Sequence, residues 1–228
     1  MSRRPVEPGA TVTERDLTTV SGDQVAVPAP DRLVHLQFRR FAGCPVCNLH
    51  LRSVTRRHQE IEAAGVREVV VFHSPAEELL PHTAALPFAV VADPTRRLYA
   101  EFGVERSPRA LLGPRAWGPI VRAVLSGTRE VLRGREHLPA TSPHGGRLGL
   151  PADFLLAPDG RVLAVKYGEH AYDQWSVDEL LDLAARTPVP ARPHRPGSPP
   201  NHRPPSSPAP PEPAAPPPAH GSEPPPKA

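Results

Sequence analysis

The sequence predicts an α/β domain with a parallel β-α-β core and an antiparallel edge, followed by a segment that packs into no core. Three observations predict it. Apolar runs of strand length alternate with amphipathic stretches of helix length from Leu33 to Gly103. Two further apolar runs flank a Pro158-Asp159-Gly160 turn near the end of the ordered part. The prolines are unevenly spread: of 34 in 228 residues, 18 lie between Pro188 and Pro226. Such a stretch buries too little apolar surface to offset its chain entropy. The expected organisation is a disordered start at 1–15, a domain at 16–187 with an insertion at about 103–150, and a disordered proline-rich tail at 188–228.

The elements follow in order. Leu17 to Val27 reads as a hairpin turning at Ser21-Gly22-Asp23. Leu33 to Phe38 is a strand, with Val34, Leu36 and Phe38 on one face and His35 and Gln37 on the other. A helix is expected from Pro45 to Ala64. Proline suits its first position, Leu51, Val54 and Ile61 form its apolar stripe, and Gly65 ends it. Val69 to Phe72 is a continuous apolar run, as a strand covered on both faces requires. Ser74-Pro75-Ala76-Glu77 has the form of a capping box opening a short helix. Phe88 to Ala92 is a strand, and Asp93 caps a helix carrying Leu98, Tyr99 and Phe102 that stops at Gly103. The insertion carries one helix around Trp117 to Leu125. A hairpin follows, Phe154 to Leu156 with Val162 to Val165. Ser176-Val177-Asp178-Glu179 then caps the last helix, whose stripe is Val177, Leu180, Leu181 and Ala184.

Composition excludes several classes of function. The formal charge is only +3, arginine dominates the cations, and Lys166 and Lys227 are the sole lysines. No dense basic helix with stacking aromatics exists, so nucleic acid is not an expected partner. No apolar run reaches the length of a membrane span, and the N-terminus lacks the apolar stretch of a signal peptide. The expected location is the cytoplasm. Phosphate-binding glycine loops and the serine-hydrolase elbow are absent from the sequence.

The two cysteines stand together as Cys44-Pro45-Val46-Cys47. In a reducing compartment such a pair is more often catalytic or metal-binding than structural. Cys44 falls at the N-cap of the expected helix, where unsatisfied N–H groups favour a thiolate. It is therefore expected to be the accessible, low-pKa nucleophile, with Arg39 and Arg40 adding to the positive field. Cys47 shares the face of Leu51 and Val54, so it is the less exposed, resolving thiol. His50 is a candidate tuning group. It also completes a C-x-x-C-x-x-H spacing that could bind a metal, although a structural zinc site takes four ligands. His170, Tyr172 and Asp173, in the loop before the last helix, are candidates to approach the thiols. His73 and His82 read as surface residues.

A C-x-x-C pair where a strand feeds a helix is a redox signal of thioredoxin-type units. With the hairpin, Phe41-Ala42-Gly43-Cys44-Pro45-Val46-Cys47 and Pro151-Ala152-Asp153-Phe154-Leu155-Leu156-Ala157-Pro158-Asp159-Gly160-Arg161, the chain resembles the peroxiredoxin-like branch of the AhpC/TSA family over roughly residues 15–187. The resemblance implies a thioredoxin-like fold, a central mixed sheet flanked by helices. It implies no bound cofactor, and electrons supplied by a thioredoxin or another dithiol donor. Peroxiredoxins carry P-x-x-x-T-x-x-C, and neither cysteine has that threonine four-residue frame here. They also place an arginine before the later Phe-led strand, where this chain has Pro151. Thioredoxin-like reductases place a cis-proline there, so the resemblance assigns Pro151, with Gly43 and Pro45, to substrate binding. The leading expectation is thiol–disulfide exchange through Cys44 and Cys47. Reduction of hydroperoxides stands second, and a thioredoxin-fold metal-binding module third.

Overall fold

The computed structural model describes residues 4–104, 146 and 149–187. The expected insertion lies almost wholly outside the described residues, and the expected tail at 188–228 lies entirely outside them.

The chain opens with a hairpin, β1 (Arg15–Thr18) paired antiparallel with β2 (Gln24–Val27). A five-stranded sheet follows, built from β3 (Leu33–Phe38), β4 (Val66–Phe72), β5 (Ala89–Ala92), β6 (Ala152–Leu156) and β7 (Val162–Tyr167). Its spatial order is β5-β4-β3-β6-β7. β3 and β5 run parallel to β4, whereas β6 is antiparallel to both β3 and β7. The parallel core and antiparallel edge are those the alternation of elements predicts, and the fold is thioredoxin-like. β4 starts three residues before the expected apolar run, because Val66, Arg67 and Glu68 pair with Leu33, Val34 and His35.

The expected helix at 45–64 is broken in two. α1 (Pro45–Arg56) ends at Arg57, whose backbone leaves helical geometry at φ −112° and ψ 18°, and α2 (His58–Ala63) continues to Gly65. α3 (Ala76–Thr83) does not use the expected serine cap. Pro75 is its N-cap and offers it no side-chain bond. α4 (Arg97–Glu101) is shorter than expected, yet Asp93 does cap it, accepting from the N–H groups of Arg97, Leu98 and Tyr99. α5 (Val177–Ala185) carries the full Ser176/Glu179 capping box, and buries Val177, Leu180 and Ala184 while Leu181 stays half-exposed.

One face of the sheet carries Val34, Leu36, Phe38, Val71 and Phe154 against Val25 and Val27 of the hairpin, Tyr99 of α4 and Phe102 just after it. The other face meets α1 and α3 at the thiol end of β3, through Val70, Phe72, Leu51 and Leu79. Farther down, Leu33, Leu155 and Val66 meet α1, α2 and α5 through Val54, Ile61 and Leu180. Apolar burial on both faces holds the stack together.

Within the expected disordered start at 1–15, the described residues from Val6 to Val12 are instead hydrogen-bonded to the domain. Gly9 and Val162, Ala10 and Val162, and Val12 and Gly160 are joined by backbone hydrogen bonds of 2.8 Å. Val6 donates its N–H to the Tyr167 hydroxyl. This strap has few apolar residues of its own, so local composition hides its order. It takes its hydrogen bonds from the hairpin turn at Gly160. There φ is +86°, and a Cβ would sit 2.6 Å from the Val12 carbonyl, which is why glycine is needed.

Candidate active site

β3 delivers the site. Beyond Phe38 the strand continues one step, with the Arg39 N–H bonded to the Val71 carbonyl at 2.8 Å, and His73 donating to the Arg40 carbonyl at 3.2 Å. The Tyr99 hydroxyl donates to the Arg39 and Val71 carbonyls and pins this junction from the α4 side. The chain then turns sharply through Phe41 to Cys44, closed by Cys44 N–H to Phe41 O at 3.2 Å. Gly43 sits in that turn at φ +70°, a conformation that side chains rarely tolerate. Ser74, expected to cap α3, instead accepts the Ala42 N–H at 3.0 Å. The hydroxyl is spent on holding the cysteine loop.

Pro45 occupies the first turn of α1 and Cys44 is its N-cap, with Sγ accepting from the Cys47 N–H at 3.4 Å. The expected position of the pair is therefore met. Its expected accessibility is not: Cys44 is 0 % exposed and Cys47 is 2 % exposed. Both pack among Phe41, Leu51, Val70, Phe72 and Leu79, because the strand-to-helix turn folds back under α3. Ala171 and Tyr172 of the loop before α5 join this cluster. The His170 ring accepts the Tyr172 N–H and its carbonyl the Asp173 N–H, and Asp173 pairs with Lys166 at 3.2 Å.

Arg40 Nη2 donates to Cys44 Sγ at 3.0 Å. Its stem lies under Gly149, where an added Cβ would be 3.3 Å from Arg40 Cγ and 3.6 Å from His73 Nε2. His73 is thus no surface residue; it is 0 % exposed and beside the arginine. His82 is half-buried. Burial opposes the Arg40 charge, but the two sulfurs outweigh it and raise its pKa. The thiols titrate as a pair sharing one negative charge. Burial works against ionisation of Cys47, yet the hydrogen bond from Cys44 and the Arg40 charge prevail and hold it down at about 6. Burial, then the bond to Cys47, push Cys44 well above the usual thiol range. These directions run against the expectation of Cys44 as the low-pKa thiol: its thiol faces another sulfur in a closed pocket, and the lower pKa falls to Cys47.

The cis bond expected at Pro151 is corrected. The one cis peptide bond among the described residues is Val27–Pro28, so Pro151 is trans. It stands one step past the Phe38–Ala152 pair, at the thiol end of the sheet, and its carbonyl accepts from Gly168 at 2.9 Å. Its ring packs toward Gly168, where a Cβ would be 2.7 Å from Pro151 Cγ.

His50 turns away from a thiol-tuning role. Its Nε2 faces Arg39 Nη2 at 3.1 Å, and burial together with the Arg39 charge keeps it neutral, well below its ordinary pKa. Arg39 likewise points inward, donating to Asp153 Oδ1 at 2.7 Å and to Gln37. His35 bridges Glu68 at 2.9 Å and Asp153 at 3.1 Å, and Gln37 donates to Glu68. The Trp175 N–H bonds the other Asp153 oxygen at 3.2 Å. Burial opposes the Asp153 charge, but Arg39 and His35 hold it far below the usual carboxylate range. Burial also opposes the His35 charge, and Glu68 and Asp153 raise it to about 9. Sequence reasoning missed this buried network. Its signal was present: polar His35 and Gln37 on a central strand covered on both faces require buried partners, and Glu68 and Asp153 are polar positions on the flanking strands. Among the described residues no group of three His, Cys, Asp or Glu is placed to hold a metal ion. His50, which the C-x-x-C-x-x-H spacing offered as a ligand, is engaged with Arg39. No helix among the described residues is long and apolar enough to cross a membrane.

The sequence model of the AhpC/TSA antioxidant enzyme family matches residues 53–170, beginning just after the cysteine pair. A search of curated proteins finds no match. Among solved structures, the chain is similar to peroxidoxin BcpB from Mycobacterium tuberculosis, at 19% identity and TM-score 0.55, covering 79% of this chain and 97% of that one. It is similar to a peroxiredoxin-like protein from Aquifex aeolicus, at 17% and 0.51, covering 81% and 90%. A third likeness is to a thiol:disulfide interchange protein, DsbE, from Chlorobium tepidum, at 16% and 0.50, covering 78% and 99%.

Proposed function

Since the chain belongs to the AhpC/TSA antioxidant enzyme family, a family of redox enzymes, we propose that it is a two-cysteine thiol peroxidase whose Cys44 and Cys47 cycle between dithiol and disulfide. The observation that carries the reading is the Arg40 guanidinium, 3.0 Å from Cys44 Sγ at the N-cap of α1. It brings a positive charge to the sulfurs from the end of β3, where peroxiredoxins bring one from before the strand that corresponds to β6.

The chemistry balances as follows. The Cys47 thiolate attacks one oxygen of the hydroperoxide and the O–O bond breaks, giving a sulfenic acid and an alkoxide. The alkoxide takes the proton of the neighbouring Cys44 thiol. The Cys44 thiolate so formed attacks the sulfenic sulfur and expels hydroxide, which picks up a proton to leave as water. A thioredoxin or another dithiol donor returns two electrons and two protons to the disulfide. The roles expected from the sequence are exchanged: Cys47 attacks and Cys44 resolves. Arg40 holds the negative charge throughout. Gly43 and Pro45 shape the turn that presents the sulfurs, and Pro151 borders the site. No bound cofactor is needed, and a reducing compartment, the cytoplasm, suits a dithiol resting state.

Disulfide exchange with a protein substrate becomes the second reading. The C-x-x-C at a helix N-terminus favours it. Attack by these thiols on a bulky disulfide needs an exposed sulfur, however, and both sulfurs are buried in this dithiol form. A small hydroperoxide makes a smaller demand on access.

The test is stopped-flow reaction of the reduced protein with hydrogen peroxide, with products read by intact mass. The expected result is oxidation at least about a hundredfold faster than free cysteine at the same pH, ending in a Cys44–Cys47 disulfide. In Cys44→Ser the serine hydroxyl still donates to Cys47, so rapid oxidation to a sulfenic acid persists. In Cys47→Ser the fast phase is lost. Slow reaction of the wild type with peroxide, beside ready disulfide formation against an oxidised dithiol, would return exchange to first place.

A further inference from the structure

A cavity of about 610 Å³ lies between α1 and the loop that enters α5, away from the thiols but adjoining their cluster. Tyr172 and Trp175 give it aromatic walls. Gln174 also lines it, is 8 % exposed, and its Nε2 has no hydrogen-bond partner. A buried amide donor left unpaired is costly, and such a group calls for an acceptor. Val177 and Asp178 line the same cavity, and as the first residues of α5 their N–H groups have no intrahelical acceptor.

The charges decide what kind of acceptor fits. Arg57 reaches the cavity, but Nη1 is bonded to Asp178 at 2.5 Å and its other nitrogens to Glu60. Its charge is already balanced, and Asp178 stands at the cavity wall. An anionic ligand would meet that carboxylate without a free cation to offset it. Ser53 Oγ, which donates to the His50 carbonyl at 2.6 Å, keeps acceptor capacity. Donors, an acceptor and flat apolar walls without surplus charge match a neutral amide group with a side chain beside it.

We infer that this cavity binds an extended segment of a polypeptide through its backbone amide and an apolar side chain, and that the occupant is the protein dithiol that re-reduces the Cys44–Cys47 disulfide. The second half rests on the function proposed above; the first does not. Tyr172 belongs both to this cavity and to the cluster around Cys44 and Cys47, so a segment seated here leads toward the thiols. In the step it serves, the donor's two thiols become a disulfide, and the Cys44–Cys47 disulfide accepts those two electrons and two protons.

The experiment uses the full chain and two probes: a blocked neutral hexapeptide carrying two cysteines, and its two-serine analogue. In a Trp117→Phe background Trp175 is the sole tryptophan, excited selectively at about 295 nm. The two-serine peptide should then shift its emission saturably, and Gln174→Leu or Gln174→Glu should weaken that binding about tenfold, the scale of one lost hydrogen bond. Reduction of the oxidised protein by the two-cysteine peptide should slow about tenfold in Gln174→Leu, while reduction by dithiothreitol stays unchanged. No saturable shift with the serine peptide, or equal slowing toward both reductants, overturns the inference. If the protein forms no Cys44–Cys47 disulfide at all, the proposed function fails, and the serine peptide still decides whether the cavity takes a polypeptide. Thermal unfolding of each variant separates loss of binding from loss of fold.

Discussion

At the scale of single residues, the chemistry depends on Arg40. Two buried sulfurs would ordinarily both stay protonated, since burial disfavours a thiolate. One guanidinium within hydrogen-bond reach reverses this for the pair. Arg40→Met keeps the length of the stem that lies under Gly149 and removes only the charge and its donors. The thiolate absorbance near 240 nm should then titrate at least one unit higher than the wild-type midpoint of about 6. At pH 7 the wild-type pair is roughly nine-tenths ionised once, and the variant should react with peroxide about tenfold more slowly or worse. An unchanged midpoint would mean that the helix N-terminus alone suffices. Cys44, Cys47 and Arg40 were legible in the sequence because they crowd one turn. Their burial was not. It arises from Leu79 of α3 and Ala171 before α5, which lie far along the chain. His73 was misread for the same reason: a histidine beside a serine and a proline looks exposed until Gly149 is folded over it.

At the scale of elements, spacing served well where each element answered to its own residues, and less well where a distant one intervened. The Ser176/Glu179 box closes on itself and caps α5 as read. The Ser74-x-x-Glu77 box has the same pattern, but Ser74 is drawn to the Ala42 N–H of the cysteine loop. The competing bond wins because Ala42 is buried and its N–H needs an acceptor, whereas water can reach the first turn of α3. The two serines therefore predict different outcomes. Ser176→Ala should cost about 1 kcal/mol, with the cysteine loop undisturbed. Ser74→Ala should cost about 1–3 kcal/mol by leaving a buried donor unpaired. It should also speed amide hydrogen exchange across Phe41 to Cys47 while leaving α3 protected. Loss of protection in α3 instead would show that Ser74 acts as its cap after all.

At the scale of the whole molecule, the thiol pair and the buried network load opposite slopes onto stability between pH 6 and 9. His35 is charged in the fold up to about pH 9, against about 6.5 in the unfolded chain. Its contribution is complete below pH 6.5 and is lost as pH rises through 9. Cys47 runs the other way. Its folded pKa of about 6 lies below that of a free thiol, so its contribution is complete above about pH 8.5 and is lost as pH falls through 6. Each slope is bounded by one proton, about 1.4 kcal/mol per pH unit. The reduced wild type should therefore show a nearly flat denaturant midpoint from about pH 6.5 to 8.5. Cys47→Ser removes one slope and should expose the other: a chain that grows less stable with rising pH over that window. His35→Gln in the wild-type background should do the reverse and gain stability with rising pH. If the Cys47→Ser midpoint stays flat, the charge on His35 is not what Glu68 and Asp153 hold in place. The network would then be a set of neutral hydrogen bonds, and only the thiol pair would couple the fold to pH.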